Sequence, residues 1–131
     1  MENKIIFLDT SVIIEYYRKK DKSKSFYYEL TKTYSLFAVS AITEYEVLVG
    51  SNDEQDIYWK SFFEQITILP FTEETNKTAI KIYRQLKRIS KLIPIPDLLI
   101  GATALNNNLP VATLNKKHFS RIVELEIIER E

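Results

Sequence analysis

Three carboxylates stand far apart in this chain, and each adjoins an apolar run of the kind that becomes a strand or a buried helix. Asp9 directly follows Ile5-Ile6-Phe7-Leu8. Glu46 lies within Ser40-Ala41-Ile42-Thr43-Glu44-Tyr45-Glu46-Val47-Leu48-Val49-Gly50, and Asp97 opens Pro96-Asp97-Leu98-Leu99-Ile100-Gly101-Ala102-Thr103-Ala104-Leu105. A neutral polar residue, Asn115, follows the short strand-like run Val111-Ala112-Thr113. Convergent carboxylates with hydroxyls nearby suit hard divalent cations, which take oxygen ligands. Such ions can activate water and stabilise charge on a phosphoryl group. The chemistry implied is that of a metal-dependent nuclease.

The elements that must position these residues alternate along the chain. Residues 4–8 read as a buried strand, followed by a helix over about 11–19 that Thr10 or Ser11 can cap. A second helix is expected over 22–32, a strand over 35–39, and a helix over 41–50 closed by Gly50. A further helix over 54–64 carries Ile57, Tyr58, Trp59, Phe62 and Phe63. Ile66–Leu69 reads as a strand stopped by Pro70. The longest helix is expected over 73–91, where Ala79, Ile82, Tyr83, Leu86 and Ile89 recur at three- and four-residue spacing. Pro94 and Pro96 break it. Asp97–Leu105 is a short apolar helix, and strands over Val111–Thr113 and Val123–Ile128 close the chain.

Strands joined by helices predict an α/β fold with right-handed crossovers and a mainly parallel sheet covered on both faces. Such sheets bind ligands beyond the carboxyl ends of their strands, where the strand order reverses. If the first and fourth strands are neighbours, Asp9 and Asn115 come together, and a helix N-terminus can bring Asp97 to join them.

Each candidate also has a plainer reading. Asp9 could simply cap a helix, although Thr10 and Ser11 could do that work and leave it for a cation. Glu46 stands near the edge of a helical face formed by Ala41, Ile42, Tyr45, Leu48 and Val49. A solvated helical glutamate is the alternative, as Glu44 is expected to be. Asp97 begins an apolar stretch and could serve as a cap or a partner of the helix dipole. Capping and metal ligation are compatible, because a carboxylate has two oxygens. Asn115 offers an oxygen or a water-orienting amide without charge. Ser11 and Thr113 are supporting hydroxyls. With three formal negatives, the site should hold one Mg²⁺ or Mn²⁺, and a second only when substrate phosphate is present. The single histidine, His118, sits in Lys116-Lys117-His118-Phe119. A surface or capping role is its plain reading, contact with substrate phosphate the other.

The composition bounds these expectations. A chain of 131 residues can form one domain, residues 1–131, with a real core. There is no cysteine, which excludes disulfides and zinc–thiolate sites and is compatible with the cytoplasm. No apolar run is long enough to span a bilayer. The start, Met1-Glu2-Asn3-Lys4, does not read as a secretory signal. Eighteen basic and eighteen acidic side chains balance, which argues against strong non-specific binding to nucleic acid. Basic residues are nonetheless clustered. Lys77, Lys81, Arg84, Arg88 and Lys91 recur along the long helix, and Arg18, Lys19, Lys20, Lys22 and Lys24 form a second group beside Tyr16 and Tyr17. Either stripe could be a solvated face or could track a phosphate backbone, with the tyrosines available to stack on bases.

Four stretches carry a family resemblance: Phe7-Leu8-Asp9-Thr10-Ser11, Ser40 through Gly50, Ile95 through Leu105, and Val111 through Phe119. Taken in order, they resemble the PIN-domain ribonucleases, and more closely the small VapC-type toxins of prokaryotic toxin–antitoxin pairs. The resemblance implies a three-layer α/β/α sandwich around a parallel sheet and Mg²⁺- or Mn²⁺-dependent hydrolysis of RNA phosphodiesters. It makes Asp9, Glu46 and Asp97 the acidic ligands, with Asn115 at a position that is acidic in some members. Ser11 matches a nearby hydroxyl position. The residue before the last motif's phenylalanine is often acidic in the family, whereas here it is His118. Gly101 stands where alanine is commoner. The resemblance also implies a homodimer and a cognate antitoxin that covers the groove. The basic positions Arg18, Lys81, Arg84 and Arg88 would then hold flanking RNA phosphates.

Two other readings compete. A phosphotransfer enzyme of the haloacid dehalogenase type wants a second aspartate two residues after the first, and that residue is Ser11. A PIN-like module that binds RNA or protein without cutting it would have no need of all three carboxylates.

Overall fold

The computed structural model describes the backbone of residues 2–131 and the side chains of residues 4–131. Five strands form one parallel sheet: β1 (Glu2–Leu8), β2 (Tyr34–Ser40), β3 (Thr67–Leu69), β4 (Val111–Ala112) and β5 (Ile127–Ile128). The strand order is β3-β2-β1-β4-β5, with β1 central and paired to both β2 and β4. The order therefore reverses between β1 and β4, and a ligand cleft is expected beyond their carboxyl ends.

Among the described residues, seven α-helices cover the sheet: α1 (Thr10–Arg18), α2 (Phe26–Thr31), α3 (Ala41–Val49), α4 (Asp53–Glu64), α5 (Glu73–Arg88), α6 (Ile95–Asn106) and α7 (Lys116–Phe119). Strand alternation divides the core into two layers. Ile6, Leu8, Phe37 and Val39 point to one face and pack with Val12, Ile13, Phe26, Trp59 and Phe62. Phe7, Ala38 and Val111 point to the other and pack with Ala79, Ile82, Leu86, Leu98 and Ile100. The result is the expected three-layer α/β/α sandwich with a parallel central sheet. No helix among the described residues is long and apolar enough to cross a membrane.

Several boundaries differ from the sequence reading. The helix expected over 22–32 is a 3-10 turn at Lys22–Lys24 followed by α2, because Asp21 and Ser25 each cap a separate element. The long helix stops at Arg88, and Ser90 just beyond it takes a left-handed φ of 57°. Helix α6 begins at Ile95, not Asp97. Pro96 sits in its first turn, where the missing N–H costs nothing. Of the strand expected over Val123–Ile128, Val123 and Glu124 form a turn, and pairing is confined to Ile127–Ile128. On α3 the buried residues are Thr43 and Val47, while Tyr45 and Val49 are each 67% exposed, so the packed face is not the expected one. Ile57 on α4 likewise faces solvent.

Helices α6 and α7 approach closely at Gly101. A Cβ there would lie 2.5 Å from Ile122 Cδ1 and 3.6 Å from Phe119 Cδ1, so the glycine admits this packing. Phe119 is fully buried against the α5–α6 layer, which fixes its neighbour His118 above the first turn of α6.

Candidate active site

The carboxyl ends of β1 and β4 are stitched together by main chain and side chains. Asp9 N–H donates to the Ala112 carbonyl at 3.2 Å. The Thr113 hydroxyl donates to Asp9 Oδ2 at 2.7 Å and accepts from Asn115 N–H at 2.8 Å. Ser11 Oγ donates to Asp9 Oδ1 at 2.6 Å and accepts from Leu114 N–H at 3.2 Å. Ser11 and Thr113, expected as supporting hydroxyls, both contact Asp9 directly.

Asp9 is also the N-cap of α1, accepting from Val12 N–H at 3.3 Å. Thr10 and Ser11 do not cap this helix, contrary to the expectation, because both lie inside its first turn. Three hydrogen bonds occupy a carboxylate that offers about four lone-pair positions, so capping leaves room for another partner. Asp9 is only 1% exposed. Burial pushes its pKa up to about 6, hydrogen bonds from Ser11, Thr113 and Val12 oppose that rise, and the charge of Asp97 adds to it.

Glu46 reaches the same region from α3. Its Oε1 accepts from the Thr10 hydroxyl at 2.8 Å, and Thr10 Oγ1 lies 2.9 Å from the Thr43 hydroxyl. Thr10 has one hydrogen and gives it to Glu46, so Thr43 must be the donor in the second bond. The buried Thr43 thus orients Thr10, which orients Glu46.

Asp97 occupies the third position of α6 and makes no capping bond there, so the capping reading fails. Its Oδ2 instead pairs with His118 Nδ1 at 2.7 Å. Asn115 begins α7, and its side chain makes no cap bond.

An open cleft of about 580 Å³ is lined by Thr10, Ser11, Ile14, Glu15, Arg18, Lys19, Glu46, Asp97 and Asn115. Asp9 lies directly behind Ser11. Three of the four candidates, Glu46, Asp97 and Asn115, line this cleft, and the fourth, Asp9, is buried beneath it and bonded to the lining residue Ser11. Among the described residues, no three carboxylate or imidazole groups stand close enough to chelate one ion as they lie. The donor set still fits a hard divalent cation. All donors are oxygens, and a buried carboxylate experiences the repulsion of a second carboxylate that a cation would relieve. Mg²⁺ keeps several waters and takes only one or two carboxylates, so a three-carboxylate cage is not required.

Sequence reasoning missed Glu15 at the cleft and saw Thr10 only as a possible cap, whereas Lys19 belongs to the basic group named from the sequence. Helical spacing could have found Glu15, since Ser11, Ile14, Glu15 and Arg18 share one face of α1. Glu15 is already committed: Oε1 accepts from Phe26 N–H at 2.8 Å, and Oε2 pairs with Arg130.

The basic residues divide. Arg18 lines the cleft. Lys81, Arg84 and Arg88 line grooves along α5, none of which includes a cleft residue. Tyr16 and Tyr17 are not displayed for base stacking. Tyr16 packs on Tyr27 at 5.0 Å between ring centroids, and Tyr17 on Trp59 at 5.1 Å. Lys22 closes the end of α1 by donating to the Tyr16 and Tyr17 carbonyls at 2.6 and 2.7 Å.

Comparison with known proteins agrees with this architecture. The PIN-domain family profile matches residues 6–125. Ribonuclease VapC1 of Methanocaldococcus jannaschii is 39% identical over 124 residues, covering 94% of this chain and 85% of that protein. Ribonuclease VapC of Rickettsia bellii is 34% identical over 134 residues, covering 94% of each. The crystal structure of VapBC2 from Rickettsia felis, bound to a DNA fragment from its promoter, aligns with a TM-score of 0.84 at 25% identity. The alignment covers 97% of this chain and 99% of that one. VapBC-1 from nontypeable Haemophilus influenzae aligns with a TM-score of 0.81 at 28% identity, covering 95% and 97%. With the profile spanning nearly the whole chain and full-length relatives of this closeness, the chain belongs to the PIN-domain family and groups with its VapC ribonucleases.

Proposed function

We propose that this protein is a metal-dependent endoribonuclease that hydrolyses RNA phosphodiester bonds, acting in the cytoplasm as the toxin of a type II toxin–antitoxin pair. The observation that carries the reading is the buried Asp9 carboxyl, set against the charge of Asp97 at the switch point of the sheet and hydrogen-bonded to Ser11 of the cleft that Glu46, Asp97 and Asn115 line. The named relatives support the RNA substrate, and the VapBC complexes among the structural neighbours support a cognate antitoxin. A homodimer is part of the same proposal.

Asp9, Asp97 and Glu46 would hold Mg²⁺ or Mn²⁺, with the Asn115 amide orienting water beside it. The bound cation would lower the pKa of its water and stabilise charge on the phosphoryl oxygens. The chain's own groups supply the rest. Ser11 and Thr113 hold the Asp9 carboxylate in a fixed plane, and Thr10 does the same for Glu46. Arg18 and Lys19 at the cleft wall would hold flanking phosphates and set the scissile bond in line with attacking water. Lys81, Arg84 and Arg88 would reach phosphates farther along a longer RNA. No side-chain nucleophile is required.

The test is RNA cleavage by the purified chain. Cleavage is expected with Mn²⁺ or Mg²⁺ and should stop with EDTA. Intact RNA under every metal condition, with RNA still bound, would instead identify a module that binds without cutting.

A further inference from the structure

His118 is the only histidine in the chain, and nothing in the proposed chemistry uses it. Its ring is fixed from two directions. Phe119, the next residue, is fully buried, and Gly101 lets that segment settle closely on α6. Nδ1 meets Asp97 Oδ2 at 2.7 Å, with the two side chains 34% and 19% exposed. An ionised carboxylate only accepts hydrogen bonds, so Nδ1 must carry the hydrogen whether the ring is neutral or charged. Asp97 makes no bond to its own helix N-terminus, so this contact is what orients its carboxylate.

We propose that His118 is a positioning residue that anchors Asp97 Oδ2 and leaves Oδ1 directed to the cleft for a divalent cation. This inference rests on the metal-site reading above. An imidazole at this place does for a carboxylate ligand what outer hydrogen-bond partners do at metal centres: it fixes orientation before the ion arrives. Removing such a partner costs about 10–100-fold in metal affinity.

The test uses Mn²⁺ alone, titrated calorimetrically into the RNA-free protein. His118→Ala should weaken Mn²⁺ binding at least about tenfold. His118→Asn carries a donor the same number of bonds from Cα as Nδ1 and should restore binding to near the wild-type value. Wild-type affinity in His118→Ala overturns the proposal, as does an Asn variant as weak as the Ala variant. If the wild type itself binds no Mn²⁺, the metal-site reading falls as well, so the two failures are distinguishable. A second measurement does not need His118→Ala to fold. Because the chain has one histidine, long-range ¹H–¹⁵N spectra report this imidazole alone. At a pH where the ring is neutral, the Nδ1–H tautomer should dominate with Mg²⁺ present and give way to Nε2–H in Asp97→Ala. An unchanged tautomer in Asp97→Ala overturns the proposal.

Discussion

The Thr113 hydroxyl donates to Asp9 Oδ2 at 2.7 Å across the junction of β1 and β4, joining residues 104 positions apart. The bond ties the candidate ligand to the switch point of the sheet, and it opposes the rise in Asp9 proton affinity caused by burial. Thr113→Val preserves shape and removes this donor, along with the acceptor for Asn115 N–H. Leaving a buried carboxylate oxygen short of a partner costs about 1–3 kcal/mol. Urea unfolding at pH 7.5 should show that loss. The acid limb of the pH–rate profile should also move to higher pH, because Asp9 then holds its proton more tightly. A variant with wild-type stability and an unmoved limb would contradict the role given to this bond.

The Asp9 pKa has a consequence for metal-free stability. It is raised from 3.8 to about 6, so the folded state binds more protons than the unfolded state between those values. The Asp9 contribution is therefore most favourable at low pH and is lost as pH rises through about 6. At one unit per 1.36 kcal/mol, the cost at neutral pH is on the order of 3 kcal/mol. In EDTA, Asp9→Asn should be more stable than wild type at pH 7.5, and the advantage should shrink toward pH 4. Added Mg²⁺ should stabilise the wild type and leave the variant unchanged. Equal pH dependence in both proteins would show that Asp9 does not titrate in this way.

The relay from Thr43 through Thr10 to Glu46 predicts a loss of activity larger than the accompanying loss of stability. Thr10→Val should release Glu46 and lower cleavage about 10–100-fold. Its stability should fall by no more than about 1–3 kcal/mol, the cost of leaving the buried Thr43 hydroxyl without its acceptor, so the protein should stay folded. Thr43 is fully buried, so Thr43→Val should lower activity by way of the same relay. Wild-type cleavage in Thr10→Val would mean that Glu46 needs no help to reach its place.

Much of this site was legible in the sequence because strand logic is strong. The run Ile5–Leu8 read as a buried strand, and Asp9 and Asn115 were expected together if the first and fourth strands were neighbours; β1 and β4 do pair, although Ile5 itself is exposed. The failures have local physical causes. Capping was one of two readings of Asp9, and the sequence could not choose among Asp9, Thr10 and Ser11, which are comparable caps by type. Thr43 was not placed in the core because a hydroxyl reads as a surface group until its partner, Thr10, is known. Pro96 read as a helix breaker because the sequence does not show that it falls in a first turn. The His118–Asp97 pair links two short helices through packing at Gly101, and no periodicity encodes that pairing.

The basic residues predict different salt dependences. Removing one cation that touches a phosphate should flatten the log–log salt slope by about 0.7 for a single strand. Arg18→Ala, at the cleft, should do so even for an RNA just long enough to fill it. Lys81→Ala and Arg84→Ala lie along α5 and should matter only for longer RNAs. Binding to the non-cleaving Asp97→Asn form measures both. An unchanged slope for Arg18→Ala on short RNA would place the strand elsewhere.

The central claim is tested most directly by RNA cleavage in Mn²⁺ with Asp97→Asn beside the wild type. The variant keeps the side-chain shape and an oxygen that can accept from His118, and Asp97 makes no capping bond to lose. Its circular dichroism and melting temperature should match the wild type closely. It removes one formal negative charge from the cation site, a larger insult than losing an outer hydrogen-bond partner. Cleavage should therefore fall by more than the roughly 10–100-fold that such partners cost. A folded Asp97→Asn protein that cuts RNA at the wild-type rate would contradict the account.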